Sequence, residues 1–256
     1  NMLYFRKTRN LNLEHDIYAP RRLSDGQLLL STVLVIAAAL LPRFFGLAYL
    51  IPQELPSAVH MLFAMLPLHI GMFLAVAVPA LFPPRPFRDI RLDLGLGKLT
   101  KDELKRIFKL SPLLFVVVMI VASIMTQIAK LCGAEDPDQA LIKLALSADV
   151  PTFCVIFISS VFIAPVTEEL AFRRTIFEKL HSSLPLQSAA AITSLLFALV
   201  HFSPWQIPPL FLLAFLFQQE YIRAANKTTA TILMHAIYNG LTMLCLLALR
   251  LSGGVQ

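Results

Sequence analysis

Long apolar segments without Asp, Glu, Lys or Arg recur along this chain and alternate with short charged segments. They occupy residues 26–42, 55–84, 110–129, 150–167, 180–219 and 228–249. A helix needs about 20 apolar residues to cross the hydrocarbon core of a bilayer, so these segments are close to or above spanning length. The pattern predicts an all-α protein, a polytopic bundle of membrane helices.

The segment 180–219 is too long for a single span and contains a proline-rich interruption at residues 203–209. Proline lacks an amide donor and clashes with the preceding helical turn, so Pro204, Pro208 and Pro209 stop a helix there. The segment therefore splits into two, which gives about seven transmembrane helices.

Composition supports this prediction. Hydrophobic residues make up 57% of the chain, charged residues 15%, and the mean hydropathy is +0.71. Soluble domains carry about 25% charged residues, so an ordinary water-soluble enzyme is excluded. The net charge of +6 could suit a nucleic acid or a membrane surface. Because the basic residues lie between apolar segments rather than on a soluble module, we expect a lipid bilayer and no nucleic acid as partner.

The basic residues also predict the orientation. All but four of the 22 Lys and Arg residues fall on one side of the predicted membrane, and the exceptions are Arg43, Lys130, Lys143 and Arg250. The positive-inside rule then puts the N-terminus in the cytoplasm. The chain divides into a cytoplasmic tail (1–27), N-terminal membrane helices with a basic cytoplasmic loop at 85–109 (28–149), a membrane core (150–249) and a C-terminal tail (250–256).

Two short amphipathic segments are predicted outside the membrane. Thr100 and Glu103 have the spacing of a capping box, and apolar residues follow at helical intervals. This pattern predicts a short helix on the cytoplasmic surface. Asp136 and Pro137 are expected to cap a similar segment on the outer side.

Ionisable residues at membrane depth are the candidates for chemistry, because each costs about 2.5–3.5 kcal/mol to insert near the bilayer centre. Glu169 and Arg173 stand one helical turn apart, where opposite charges pair. Glu168 points about 100° away and has no such partner. A charge cluster at the membrane edge would explain this segment equally well.

Histidines mark two further positions. His201 ends one apolar span, and His235 and Asn239 share a face of the last span at i and i+4. Alone, each could be a structural polar contact between helices. A turn near residues 182–185 would, however, put Glu168 and His201 at equal heights in an antiparallel hairpin, facing each other. The remaining membrane histidines, His60 and His69, are predicted to be structural, with no chemistry.

Taken in order, these clusters resemble the three motifs of the CAAX protease and bacteriocin-processing family of intramembrane proteases. The motifs read Glu168-Glu169-x-x-x-Arg173, Phe197-x-x-x-His201 and His235-x-x-x-Asn239. The resemblance covers residues 151–249. It implies an endopeptidase that cleaves membrane-anchored or prenylated peptides in a bacterial inner membrane. The charges of Arg174, Glu178 and Lys179 on the hairpin separately indicate a site that is reached from the cytoplasmic side. The resemblance also implies that six residues of these motifs are catalytic: Glu168, Glu169, Arg173, His201, His235 and Asn239.

Two mechanisms fit these residues. In one, Glu168 is the general base, His201 helps to hold the water, His235 and Asn239 stabilise the oxyanion, and Glu169 with Arg173 supports the site. In the other, Glu168, His201 and His235 bind a divalent metal, zinc before others, because two imidazoles and a carboxylate match catalytic zinc ligands. We favour the metal slightly and leave the glutamate-base mechanism open.

Two rival functions also remain. Intramembrane Glu and His residues serve proton-coupled transporters, and the proline breaks resemble the discontinuous helices of such proteins. Seven spans divide poorly into two half-repeats, which counts against a transporter. A non-catalytic membrane immunity or binding protein that kept the fold is the other alternative.

Overall fold

The structure is a computed structural model that describes residues 23–45, 51–52, 54–82, 84, 86–134 and 140–252. Within these ranges the regular structure is helical, without a strand, which confirms the all-α prediction. We number the helices in chain order: α1 Asp25–Phe44, α2 Ser57–Ala80, α3 Phe87–Asp93, α4 Lys101–Leu131, α5 Ala140–Ser147, α6 Val150–His181, α7 Leu186–Leu199, α8 Ile207–Arg223 and α9 Thr228–Leu251.

The helices form a polytopic membrane bundle. Helices α2, α4, α6 and α9 are long and apolar enough to cross a bilayer, while α1 (over Asp25–Leu41) and α7 are shorter apolar helices. Large apolar side chains such as Val33, Phe63, Ile120 and Leu244 are exposed on the outer faces, as lipid contact requires. The chain breaks between α7 and α8 as predicted, but the break falls at residues 200–206, and Pro208 and Pro209 lie in the first turn of α8 and do not end a helix. The protein is an integral membrane protein.

Helix α4 confirms the capping box and corrects its interpretation. The Thr100 hydroxyl accepts from the Glu103 amide (3.2 Å), and Glu103 Oε2 accepts from the Thr100 amide (2.7 Å). The helix then continues to Leu131, so the prediction of a separate short surface helix was wrong. No helix-breaking residue lies between residues 104 and 110, and Pro112 is accommodated inside the helix. The cap predicted at Asp136-Pro137 lies outside the described residues.

Helix α6 is the central element of the bundle. Half of its most apolar window is buried inside the protein, against 22% for each of the other three spanning helices. It contacts α1 and α2 on one side, α9 on another, and α7 across the turn at residues 182–185. That turn is where the sequence predicted the hairpin to reverse. Side chains on α6 can therefore meet residues from both halves of the chain.

Candidate active site

The two glutamates of the first motif lie at an irregular point of α6. The α-helical turn Ala164–Glu169 is flanked by two wider π-helical segments, Ser159–Ile163 and Leu170–Phe177. Pro165 accounts for the first of these, because a proline has no amide hydrogen for the helical ladder. Single π-turns inside α-helices occur frequently at functional sites, where they redirect side chains. Here they flank the turn that ends in Glu168 and Glu169.

Glu169 and Arg173 form the ion pair that their spacing predicted. Arg173 Nε lies 3.1 Å from Glu169 Oε2, and the two side chains are 1% and 0% exposed. Arg173 also donates from its guanidinium to the Ala214 carbonyl of α8 (3.0 Å). Its charge lies over the rings of Phe197 and Phe217, 5.1 and 5.7 Å from their centres. A buried charge needs such compensation, since desolvation costs several kcal/mol per ion.

His235 on α9 extends this pair into a chain of three residues. Its Nδ1 lies 2.9 Å from Glu169 Oε1. An ionised carboxylate can only accept, so Nδ1 donates the proton and the orientation of the ring is fixed. The opposite nitrogen, Nε2, then faces Glu168, whose Oε2 is 4.0 Å away. Glu168 is the more accessible of the two carboxylates, with 18% of its side chain exposed.

Asn239 lies one helical turn beyond His235 and contacts the first π-helical segment. Its Nδ2 donates to the Ser160 carbonyl at 2.7 Å. The Ala164 amide donates to the Ser159 carbonyl instead, and the next residue, Pro165, has no amide hydrogen. The Ser160 carbonyl thus loses its usual backbone donors, and Asn239 replaces them. The second Nδ2 hydrogen of Asn239 stays available for another acceptor.

His201 follows the end of α7 and is less directly connected. Its Nδ1 lies 2.7 Å from the Phe197 carbonyl, and its ring packs against the Phe197 ring with the centres 4.9 Å apart. Phe197 also contacts the His235 ring, at 6.2 Å. Within the described part of the chain, no hydrogen bond or ion pair joins His201 to Glu168. The structure therefore brings Glu168, Glu169, Arg173 and His235 together, and links His201 to them through an aromatic ring.

The predicted metal ligands Glu168, His201 and His235 remain a prediction. Among the described residues, no group of three or more His, Cys, Asp or Glu side chains is arranged so that it could hold a metal ion. Glu168, His201 and His235 do not form a ligand set in this arrangement. The contacts of His235 Nδ1 with Glu169 and of His201 Nδ1 with a backbone carbonyl are of the kind that metal-ligating histidines make with their second ring nitrogen, so a metal would be held by Nε2.

One residue that sequence reasoning set aside lies beside the site. His69 of α2 is buried, and its Nδ1 lies 2.9 Å from the Thr167 hydroxyl, next to Glu168 in the chain. The two residues are 98 positions apart, so neither spacing nor periodicity could have paired them. Phe197, named in the sequence only as the start of a motif, is likewise a shared neighbour of Arg173, His201 and His235.

Comparison with known proteins agrees with the motifs. Residues 150–241 match the family described as type II CAAX prenyl endopeptidase Rce1-like. The matched segment begins at the first residue of α6 and ends two residues after Asn239, and it covers less than half of the chain. No curated protein and no solved structure shows a significant match. The resemblance read from the three motifs is confirmed, and at the level of the family it supports a CAAX-type intramembrane endopeptidase.

Proposed function

We propose that this chain, with its CAAX-endopeptidase match, hydrolyses peptide bonds of membrane-anchored or prenylated-type peptides through a water activated by Glu168. One observation carries the proposal. The buried series Arg173–Glu169–His235 holds an imidazole nitrogen 4.0 Å from the carboxylate of Glu168. Hydrogen bonds span about 2.7–3.2 Å, so these two atoms are too far apart to bond directly but close enough to share one water.

Glu168 is the proposed general base. It takes a proton from the shared water while the water oxygen attacks the carbonyl carbon of the scissile bond. The resulting tetrahedral intermediate carries the negative charge on the former carbonyl oxygen. Glu168 then passes its proton to the leaving amine nitrogen as the carbon–nitrogen bond breaks, and it returns to the ionised form.

The other motif residues support this step. The free Nδ2 hydrogen of Asn239 is a neutral donor for the oxyanion, while the first one remains on the Ser160 carbonyl. His235 is proposed to orient the reacting groups from Nε2, since its Nδ1 is bound to Glu169. His201 is proposed to help hold the water, and Glu169 with Arg173 fixes the orientation of His235.

Zinc remains a prediction that peptide cleavage in the presence of a chelator tests. The described residues offer no three-residue ligand group, so the proposed hydrolysis does not rely on a metal. Loss of peptide cleavage in a zinc chelator, restored by added zinc, would support a metal ligand set formed in another conformation. Full cleavage after chelation would remove zinc from the mechanism.

The proposed location follows from the charges in the sequence. Substrate peptides would reach the site from the cytoplasmic side of a bacterial inner membrane, where most basic residues are expected. The partners proposed are the lipid bilayer and a peptide or prenylated-peptide substrate, without nucleic acid.

Replacing Glu168 with glutamine is the first test. The purified full chain in proteoliposomes is given an internally quenched, farnesylated CAAX-type peptide, and fluorescence release is measured. General-base catalysis contributes about 10²–10⁴-fold, so E168Q is expected to lose activity by that factor while remaining folded. Glu54→Gln, an exposed carboxylate in the loop before α2, is the control and should match the wild type.

The outcomes separate the alternatives. Full activity in E168Q would remove Glu168 from the mechanism. A wild-type protein that cleaves neither the farnesylated peptide nor its unprenylated form would favour the transporter or the non-catalytic membrane protein instead.

A further inference from the structure

His69 reaches the candidate site from outside the matched segment. It lies on α2, with 5% of the residue exposed, and its Nδ1 is 2.9 Å from the hydroxyl of Thr167. Thr167 is itself buried and directly precedes Glu168. Helix α2 packs along α6 at this level. The N-terminal half of the chain therefore contacts the turn that carries the proposed base.

The direction of this hydrogen bond follows from the partners of Thr167. Its hydroxyl lies 3.2 Å from the carbonyls of both Ile163 and Ala164 on α6. A hydroxyl has one hydrogen, and we place it on these two carbonyls of its own helix, so that its oxygen accepts from His69. His69 Nδ1 is consequently the donor. In the neutral ring this leaves Nε2 without a proton.

The turn that receives this bond has little regular backbone support. It lies between two π-helical segments, and Pro165 removes one amide donor within it. Contacts from neighbouring helices must then fix its position, and the His69 bond is such a contact from α2. Glu168 is also close enough to interact electrostatically with His69. From the α9 side, Asn239 holds the preceding π-helical segment, and His235 contacts Glu169 at the end of the turn.

We propose that His69 is a positioning residue for the hydrolysis. Its Nδ1–H holds Thr167 and thereby sets the direction of the Glu168 carboxylate relative to His235. The inference rests on the proposed function and extends the site to a residue of the N-terminal half. If His69 merely filled space in the core, the rate of hydrolysis would not depend on its hydrogen bond to Thr167.

Four variants of the full chain distinguish these roles in the peptide assay. His69→Leu and Thr167→Val remove the bond while keeping bulk, and we expect kcat to fall roughly tenfold with little change in KM. Misplacement of a catalytic group by about 1 Å costs about 100-fold, and a loosened turn should cost less. His69→Asn puts an amide donor near the Nδ1 position and should recover most of the lost kcat.

His60 provides the matched control. It lies on the same helix, is half-buried, and its side chain makes no hydrogen bond or ion pair with the described residues. His60→Leu should leave kcat and KM at wild-type values. A second readout is independent of substrate: nitrogen NMR of ring-labelled histidine should show the Nδ1–H tautomer for one signal that disappears in H69N. In T167V this signal should move towards the commoner Nε2–H form.

The two proposals fail separately. If the wild type cleaves the peptide but H69L keeps its kcat, or H69N is no better than H69L, the positioning role is overturned and the endopeptidase stands. An Nε2–H tautomer for His69 in the wild type also overturns it. A wild type that cleaves no peptide overturns both.

Discussion

At the scale of single residues, the buried pair Glu169–Arg173 does more than neutralise charge. Burying an ion pair contributes little net stability, because desolvation offsets the attraction between the charges. What the pair provides is a fixed carboxylate oxygen, Oε1, 2.9 Å from His235 Nδ1. This bond selects one ring tautomer and one ring orientation. The neighbouring carboxylate, Glu168, lies 4.0 Å from His235 Nε2 and remains partly accessible.

Asn239 has a structural task beside its proposed role in catalysis. Asn239→Asp keeps the shape of the side chain but, when ionised, removes both amide hydrogens. The Ser160 carbonyl would then face a carboxylate without a donor, and an unsatisfied buried polar group costs about 1–3 kcal/mol. We expect the melting temperature in detergent to fall and peptide cleavage to be lost.

The matched control for this variant lies on the same helix. Thr242 donates its hydroxyl to the Tyr238 carbonyl of its own helix, a bond that the helical backbone does not need. Thr242→Val should change the melting temperature little. Equal destabilisation by T242V and N239D would show that Asn239 has no special role in holding the π-helical segment.

Sequence reasoning succeeded for residue partners within one helix. Glu169 and Arg173 were paired correctly because an i,i+4 spacing fixes their relative positions. The contact of His235 with Glu169 joins residues 66 positions apart, and that of His69 with Thr167 joins residues 98 apart. Such contacts depend on the rotation of each helix about its axis. The length of an apolar segment in the sequence does not specify that rotation. The predicted approach of His201 to Glu168 used heights alone and stays a prediction.

At the scale of elements, Pro165 links the shape of α6 to the site. Pro165→Ala would restore an amide hydrogen, which could satisfy a carbonyl of the first π-helical segment. A proline inside a helix is about 3 kcal/mol less favourable than alanine, so this variant should be at least as stable as the wild type. Its activity should nevertheless fall about tenfold or more, because a turn that returns to α-helical geometry redirects Glu168. Thermal unfolding and peptide cleavage are measured on the same preparation.

The combination of unchanged or higher stability with lower activity distinguishes this effect from general damage. Pro112→Ala is the control, since Pro112 is also inside a spanning helix but lies on α4, which carries none of the motif residues. It should leave activity unchanged. Wild-type activity in P165A would mean that the π-helical segments do not direct the glutamates.

Element boundaries were predictable where chemistry marks them. The turn after His181 and the cap at Thr100 lie where the sequence put them, and the break before α8 lies three residues earlier, because Pro208 and Pro209 begin the helix. The continuation of α4 through its charged end was not predicted, because charge was read as the end of a helix. At about 1.5 Å per residue, its 31 residues extend about 46 Å, well beyond a ~30 Å hydrocarbon core. Charged turns at one end are therefore compatible with a single spanning helix.

At the scale of the whole molecule, the charged end of α4 connects to the neighbouring ends of α8 and α9. Arg106 on α4 pairs with Glu220 near the end of α8 at 2.6 Å. Lys227, just before α9, pairs with Glu103 at 2.8 Å. These contacts join the unmatched half of the chain to α8 and α9, which carry the Ala214 carbonyl and His235. The segment 150–241 holds the motifs, but its helices are positioned by residues before it.

The distribution of charges also predicts how the whole molecule is oriented in the membrane. Cys132 follows α4 at the end opposite to Thr100, and it is exposed, whereas Cys154 and Cys245 are exposed within spanning helices and should face lipid. If the N-terminus is cytoplasmic, Cys132 lies on the outer side. A membrane-impermeant maleimide added to intact cells should label the wild type, and Cys132→Ser should abolish the label.

A cysteine at the other end of the same helix supplies the internal control. In Cys132→Ser carrying Asp102→Cys, labelling should occur only after the membrane is opened, because Asp102 belongs to the charged first turn of α4. The reverse pattern would put Glu103, Arg106 and the basic loop outside and would contradict cytoplasmic access to the site. Because both positions lie on one continuous helix, the two labels must exchange sides together if the orientation is wrong. Labelling of both in intact cells would instead show that α4 does not cross the membrane.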